Sequence, residues 1–317
     1  MAMTVFKQWL IRPATLADMT DAYPIHLACD VADYGTSFIS YAGLQALWQS
    51  ATVRLSTESW VVTTPAGRIV SYALTNYEAA AHGVISVYVP PALRSQGLGT
   101  HLLGLAEAQL TQTPGAIAEC RVADANGAAQ HVLARAGYVR QRGYVRMAID
   151  LTRPAPDAIL AQPTGQPPLV ITPFLPGQDE AAVYRAHEAA FLDAYDHVPT
   201  TFAEWSAGHV ANAGFDPGLC FVGRAEGEIA GLIMGWRRGA NGWIGPVAVT
   251  RAYRGRGLAL ALVQRLFTAF SDEGITHVGL SVDAANRTGA NRVYARAGMQ
   301  PTQTYATYTK SAAVVNG

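Results

Sequence analysis

The sequence predicts an α+β fold built twice in one chain. Three observations carry this: two strand–glycine loop–helix units, a repeat spacing of 160 residues between matching positions, and a proline-rich stretch between the copies. The second unit opens with the apolar run Val247, Ala248 and Val249 and turns over Thr250 to Tyr253. It then passes through Arg254-Gly255-Arg256-Gly257-Leu258-Ala259 and continues as a helix over Leu260 to Phe270. The first unit opens with Val87, Tyr88 and Val89 and turns over Pro90 to Leu93. It passes through Arg94-Ser95-Gln96-Gly97-Leu98-Gly99 and continues as a helix over Thr100 to Leu110. A loop of this kind leaves backbone N–H groups uncovered at the positive end of a helix, which is an anion site. Gly255 and Gly257 lack a Cβ, so a phosphate can approach the main chain closely. Arg254 and Arg256 are expected to add mobile positive charge.

A chain of 317 residues suits two domains. Half of it is apolar and 15% is charged, the balance of a globular chain. The net charge is zero and nothing suggests a nucleic-acid footprint, which usually needs a basic face, so no nucleic acid is expected as partner. No run of about 18 apolar residues is present, so no membrane partner is expected. Met1 to Leu10 lacks the apolar centre of a signal peptide. Cys29, Cys120 and Cys220 lie far apart, against a disulfide framework or zinc site. A cytoplasmic location is expected. The histidines show no His-Glu-x-x-His and no cluster in sequence, so no metal is expected.

Taken in order, Ile11 to Thr15 reads as a strand entering a helix cap, and Asp18 to Val31 as a helix broken at Asp33 to Gly35. Tyr41 to Ser50 reads as a second helix. Trp60 to Thr63 and Ile69 to Thr75 form a hairpin about Pro65-Ala66-Gly67-Arg68. The strand Val84 to Val89 leads into the first loop and helix. Ala116 to Val122 is a strand, Ala128 to Ala136 a helix ended by Gly137, and Tyr144 to Leu151 the strand that closes the unit. Residues 153–168 form a proline-stiffened linker with a short helical piece at Asp157 to Ala161. The order then restarts. Ile171, Gly227 and Asn286 follow Ile11, Gly67 and Asn126 by 160 positions; Gly298 follows Gly137 by 161, which suggests a residue missing from the first copy's last helix. The expected domains are 1–152 and 169–317.

This pattern resembles the GNAT superfamily of acyl-CoA-dependent N-acetyltransferases. That family's pyrophosphate loop reads Arg/Gln-x-x-Gly-x-Gly/Ala after a β-bulged strand. Arg94, Gly97 and Gly99 match it, and so do Arg254, Gly257 and Ala259. Loop, duplication and the downstream Asn-to-Tyr segment together cover nearly the whole chain, in the layout of tandem members. The resemblance implies two domains, each a mixed, mostly antiparallel twisted sheet flanked by helices, and acetyl-CoA as cofactor. It implies that Val87 to Val89 and Val247 to Val249 splay from a neighbour to meet the pantetheine arm. Amides from Gln96, Gly97, Leu98, Gly99 and Thr100, with Ser95 before them, would hold the diphosphate. So would those from Arg256, Gly257, Leu258, Ala259 and Leu260. Asn286 and Asn291 would touch the cofactor arm, and Tyr294 would protonate the departing thiolate.

The copies differ at the chemistry. Four residues before the terminal glycine stands Tyr294 in the second and Leu133 in the first; Asp283 matches Ala123. The second copy is therefore expected to be catalytic, with Tyr294 and Asp283 as its ionisable groups, and the first a structural or acyl-CoA-binding partner. Asp283 and Asn286 also read as helix or turn caps. Asp193, Tyr195, Asp196 and His197 fall where acceptor-binding segments lie in the family, and either bind a cationic acceptor or form a polar loop. Asp30, Asp33 and Tyr34 are their counterparts. The expected reaction is direct attack of a small primary amine on acetyl-CoA, by a monomer or homodimer. A non-catalytic acyl-CoA-binding or sensing protein is the alternative. Leu102 departs from a dinucleotide fingerprint, and neither loop carries Gly-Lys-Ser/Thr.

Overall fold

The computed structural model describes residues 4–6, 8–37, 39–79, 81–152, 167–192, 197–211, 214–286 and 288–311. The linker residues 153–166, with the helical piece expected there, lie outside that set. The first run of elements is β1 (Thr4–Phe6), β2 (Trp9–Pro13), α1 (Met19–Tyr34), α2 (Tyr41–Gln49), α3 (Leu55–Glu58), β3 (Ser59–Thr63), β4 (Ile69–Ala79), β5 (His82–Tyr88), α4 (Leu98–Leu110), β6 (Ile117–Ala123), α5 (Gly127–Arg135) and β7 (Val139–Asp150). The second run is β8 (Val170–Pro173), α6 (Glu180–Phe191), α7 (Phe202–His209), β9 (Cys220–Ala225), β10 (Glu228–Arg238), β11 (Asn241–Val249), α8 (Leu258–Asp272), β12 (His277–Asp283), α9 (Ala290–Arg296) and β13 (Gln300–Ser311).

Two compact units result: Met1–Val145 with Gln303–Gly317, and Arg146–Thr302. In the first, the sheet runs β1-β2-β3-β4-β5-β6-β13, antiparallel except for the β5–β6 pair. In the second it runs β8-β9-β10-β11-β12-β7, with β11–β12 parallel.

The expectation that Tyr144 to Leu151 closes the first unit is corrected. The strand forms, but from Arg146 onward it belongs to the second unit, where Leu151 N–H donates to Thr276 O at 2.7 Å. Its place beside β6 is taken by β13, whose Tyr305 to Ser311 pair with Ala123 to Ile117. Both copies end in similar strand formers, so pattern alone could not say which sheet each completes.

The helix faces follow the sequence period. Leu98, Leu102, Ala106 and Leu110 recur at i+4 along α4 and are buried, as are Leu258, Leu262, Leu266 and Phe270 along α8. Glycine admits α8 to its sheet: a Cβ on Gly235 would stand 2.8 Å from Leu266, and one on Gly242 would stand 3.0 Å from Phe270. Gly137 and Gly298 end α5 and α9 in the left-handed region, with Tyr138 N–H on Leu133 O and Met299 N–H on Tyr294 O, both at 3.0 Å. The extra residue of the second copy lies in the turn between Asn286 and Ala290. It is not within the helix, because Asn126 caps Ala129 directly whereas Asn286 must reach Thr288 and Ala290.

Candidate active site

Each glycine loop turns left-handed at alternate residues, at Ser95 (φ 61°) and Gly97 (φ 92°), and at Gly255 (φ 78°) and Gly257 (φ 80°). That alternation gathers successive N–H groups on one side. The first helical bonds run from His101 N–H to Gly97 O and from Ala261 N–H to Gly257 O. The amides of Leu98, Gly99 and Thr100, and of Leu258, Ala259 and Leu260, therefore have no partner within their helices. They face the end where the helix dipole favours an anion. No atom lies within 4 Å of where a Gly255 Cβ would stand, so the loop surface is open there.

The arginines do not supply mobile charge. Arg94 Nε donates to Val89 O, and Arg254 Nε to Val249 O, each at 3.1 Å. Arg94 also pairs with Asp33 at 2.8 Å, and Arg254 donates to Ala190 O at 3.1 Å. Arg256 is 6% exposed and donates to Pro167 O at 2.7 Å. Arg94 and Arg254 brace each loop against its preceding strand, and Arg256 ties the second loop to Pro167; the backbone amides are the donors left uncovered.

Beside each loop the sheet opens. β5 pairs with β6 only over His82 to Val84, and β11 with β12 only at Gly242 and Trp243. The strands run on to Tyr88 and Val249, so Val87, Tyr88, Val247, Ala248 and Val249 line splayed edges, with Val89 following β5 directly. The two openings differ. Ser71 Oγ donates to Tyr88 O at 2.8 Å in the first unit; the matching Gly231 has no side chain to bond Ala248 O. β11 carries one extra residue at Gly245–Pro246, where pairing slips between Ile233 and Gly235. β5 stays in register with β4 from Asn76 to Tyr72.

At the end of β12, Asp283 Oδ1 accepts the Ala285 N–H at 2.9 Å, and Asn286 Oδ1 accepts from Thr288 N–H at 2.9 Å and its hydroxyl at 2.7 Å. Both side chains shape the turn. Asn291 Nδ2 reaches Asp283 O at 3.4 Å, leaving a buried Oδ1 with no partner. That orphan acceptor suits an amide donor in the opening, and together with the cradles it fits the arm and diphosphate of coenzyme A. Tyr294 is 7% exposed, and burial raises its phenol well above the ordinary tyrosine range, so it stays protonated. Leu133 holds the matching buried position in the first unit.

Asp193, Tyr195 and Asp196 lie outside the described residues. Of their counterparts, Asp33 accepts from Asn126 Nδ2 at 2.9 Å and Asp30 from Ser37 Oγ at 2.7 Å. The three cysteine thiols are buried and unpaired, and burial pushes each up to about 12, which disfavours a thiolate nucleophile. Among the described residues no group of three or more His, Cys, Asp or Glu could hold a metal ion, and no helix is long and apolar enough to cross a membrane.

One group escaped the sequence. His187, His197 and His209 come together around α6 and α7, with ring centres 6.3 Å (187–197) and 5.3 Å (187–209) apart. His197 Nε2 and Glu188 Oε2 are 3.0 Å apart, and His209 Nδ1 donates to Trp205 O at 2.9 Å. The residues are ten or more positions apart in sequence, which hid the cluster.

Two glycine-loop cradles, each beside a splayed strand, define an acyltransferase type of architecture. The chain belongs to the acetyltransferase (GNAT) family, which it matches over residues 19–138 and again over 181–299. It is 27% identical to the mycothiol acetyltransferase of Cellulomonas flavigena, over 92% of this chain and 87% of that one. It is 30% identical to that of an Arthrobacter species, over 73% and 71%. A GCN5-related N-acetyltransferase from Sphaerobacter thermophilus superposes with a TM-score of 0.84 at 30% identity, covering 98% and 97% of the chains. A tandem GNAT protein from the clavulanic acid biosynthesis pathway shares the fold, with a TM-score of 0.68 at 18% identity over 96% and 98%.

Proposed function

We propose that the protein moves an acetyl group from acetyl-CoA to the primary amine of a small molecule in the cytoplasm, by direct attack and in its second copy. The observation that carries this is the coincidence, in one unit, of an open cradle, a bulged and splayed strand, and a buried protonated tyrosine. Acetyl-CoA, when bound, supplies the reactive thioester. Leu258, Ala259 and Leu260 amides would hold its diphosphate and Asn291 its arm. Tyr294 holds a proton that a departing thiolate needs. The first copy keeps the cradle and lacks the proton donor, which supports a structural or acyl-CoA-binding role, with 1–152 and 169–317 as the units of duplication.

The relatives' name makes a mycothiol-related amine the first acceptor to assay. Thiol release from acetyl-CoA over an amine panel tests the reading. Tyr294→Phe should lower kcat by about 100-fold with little change in acetyl-CoA affinity, and Arg94→Ala with Gly97→Asp should leave turnover intact. Full loss from the second change and none from the first would reverse the roles of the copies.

A further inference from the structure

We propose that His187 accepts the proton of the amine acceptor in the second unit, an assignment that rests on the transferase reading above. An amine arrives at neutral pH as an ammonium, so transfer needs a proton acceptor. Asp283, the ionisable group at the end of β12, uses Oδ1 to accept the Ala285 amide. The strands β10 and β11 carry no ionisable side chain except Glu228, Arg237 and Arg238 at their ends.

The internal repeat shows what the His187 position faces. Asp18 and Asp179 stand at the N-termini of α1 and α6, each paired with a guanidinium, Arg12 at 2.6 Å and Arg224 at 2.7 Å. Eight residues on from each is a histidine, His26 or His187. In the first unit this ring stacks at 4.3 Å on Tyr88, the last residue of the splayed strand. The position therefore looks onto the strand tip. In the second unit, Ala190 and Phe191 share one apolar cluster with Ala248, and Arg254 bridges Val249 O and Ala190 O.

His26 is fully engaged. Its Nδ1 lies 2.7 Å from the Tyr72 hydroxyl, its Nε2 3.4 Å from Asp30, and Tyr88 covers its face. The second copy replaces all three partners: Leu232 stands for Tyr72, Phe191 for Asp30 and Ala248 for Tyr88. His187 Nδ1 is accordingly buried and makes no hydrogen bond, its nearest polar neighbour being Glu188 Oε1 at 3.5 Å. The titratable groups around it are Glu188, His197 and His209. Glu188 is held by His197 and Thr200, and His209 by Trp205 O. Burial first, and His209 next, lower His187 to about 4, so its ring is neutral at pH 7 and one of its nitrogens carries a lone pair.

The step balances. The ammonium gives one proton to His187 and the neutral nitrogen attacks the thioester carbon. The N–C bond forms, the C–S bond breaks, and the thiolate takes the Tyr294 proton. The second proton lost by the nitrogen restores Tyr294, and His187 releases its proton to water.

The test uses the full chain, acetyl-CoA and the fastest amine of a panel of small primary amines. His187→Gln and His187→Asn should each lower kcat about 100-fold or more with acetyl-CoA binding by calorimetry unchanged. Free imidazoles should restore turnover to His187→Ala in proportion to their basicity, which refilling of a cavity would not do. His26→Gln should lower the unfolding temperature, by loss of its buried bond to Tyr72, and leave kcat alone. Unchanged kcat in the His187 variants, or rescue independent of basicity, overturns the assignment while the transferase reading stands. A wild-type chain that acetylates no amine overturns both.

Discussion

Arg12 and Asp18 show how a single pair sets a titration. Burial of Asp18 opposes its charge, but the Arg12 guanidinium and the Thr15 amide and hydroxyl outweigh it, and its carboxyl sits below the usual range. A carboxyl lowered in the folded state contributes stability above its unfolded value, about 3.9, and loses it as pH falls through the folded value. Asp18→Asn should therefore lower the unfolding temperature at pH 7 and flatten its fall below pH 4, as read by calorimetry. At Gly257 the constraint is backbone sign. Gly257→Ala places a Cβ at φ 80°, which costs roughly 1–2 kcal/mol. The same change should weaken acetyl-CoA binding by about tenfold, measured as Kd by titration calorimetry. The glycines were legible in sequence because the requirement is local. The role of Asp283 was not, since a carboxylate after a strand serves a turn and a proton transfer equally well; the structure adds its 2.9 Å bond from the Ala285 amide.

Strands and helices were read well where periodicity is long. α4 and α8 have apolar stripes that only a buried helix face explains. β1 and α3 are short and had no signal to exceed their neighbours. The exchange of closing strands had none either, because β7 and β13 are alike in length while the edge each covers lies far along the chain. A chain ended at residue 302 should lose the cover of β6. Hydrogen exchange of the Ile117–Ala123 amides should then accelerate, whereas the amides of β12 keep their protection. Equal loss in both strands would contradict the pairing of Tyr305–Ser311 with Ala123–Ile117.

For the molecule as a whole, both copies keep the glycine loop while the residues beside it differ. The first opening carries Tyr88 and Ser71 where the second has Ala248 and Gly231, and Leu133 where the second has Tyr294. Binding and turnover should therefore count differently. Titration with acetyl-CoA should give two sites per chain, and Arg94→Ala with Gly97→Asp should reduce this to one without loss of kcat. A single site in the unaltered chain would assign the first cradle a purely structural role. The histidine group around His187 was out of reach in sequence because His187, His197 and His209 stand ten or more positions apart and meet only in the fold.

The placement of β13 also sets an order of events during synthesis. The half of the protein synthesised first cannot cover the edge of its sheet until Tyr305–Ser311 of β13 have been made. A late frameshift in the gene would thus injure the portion encoded earliest.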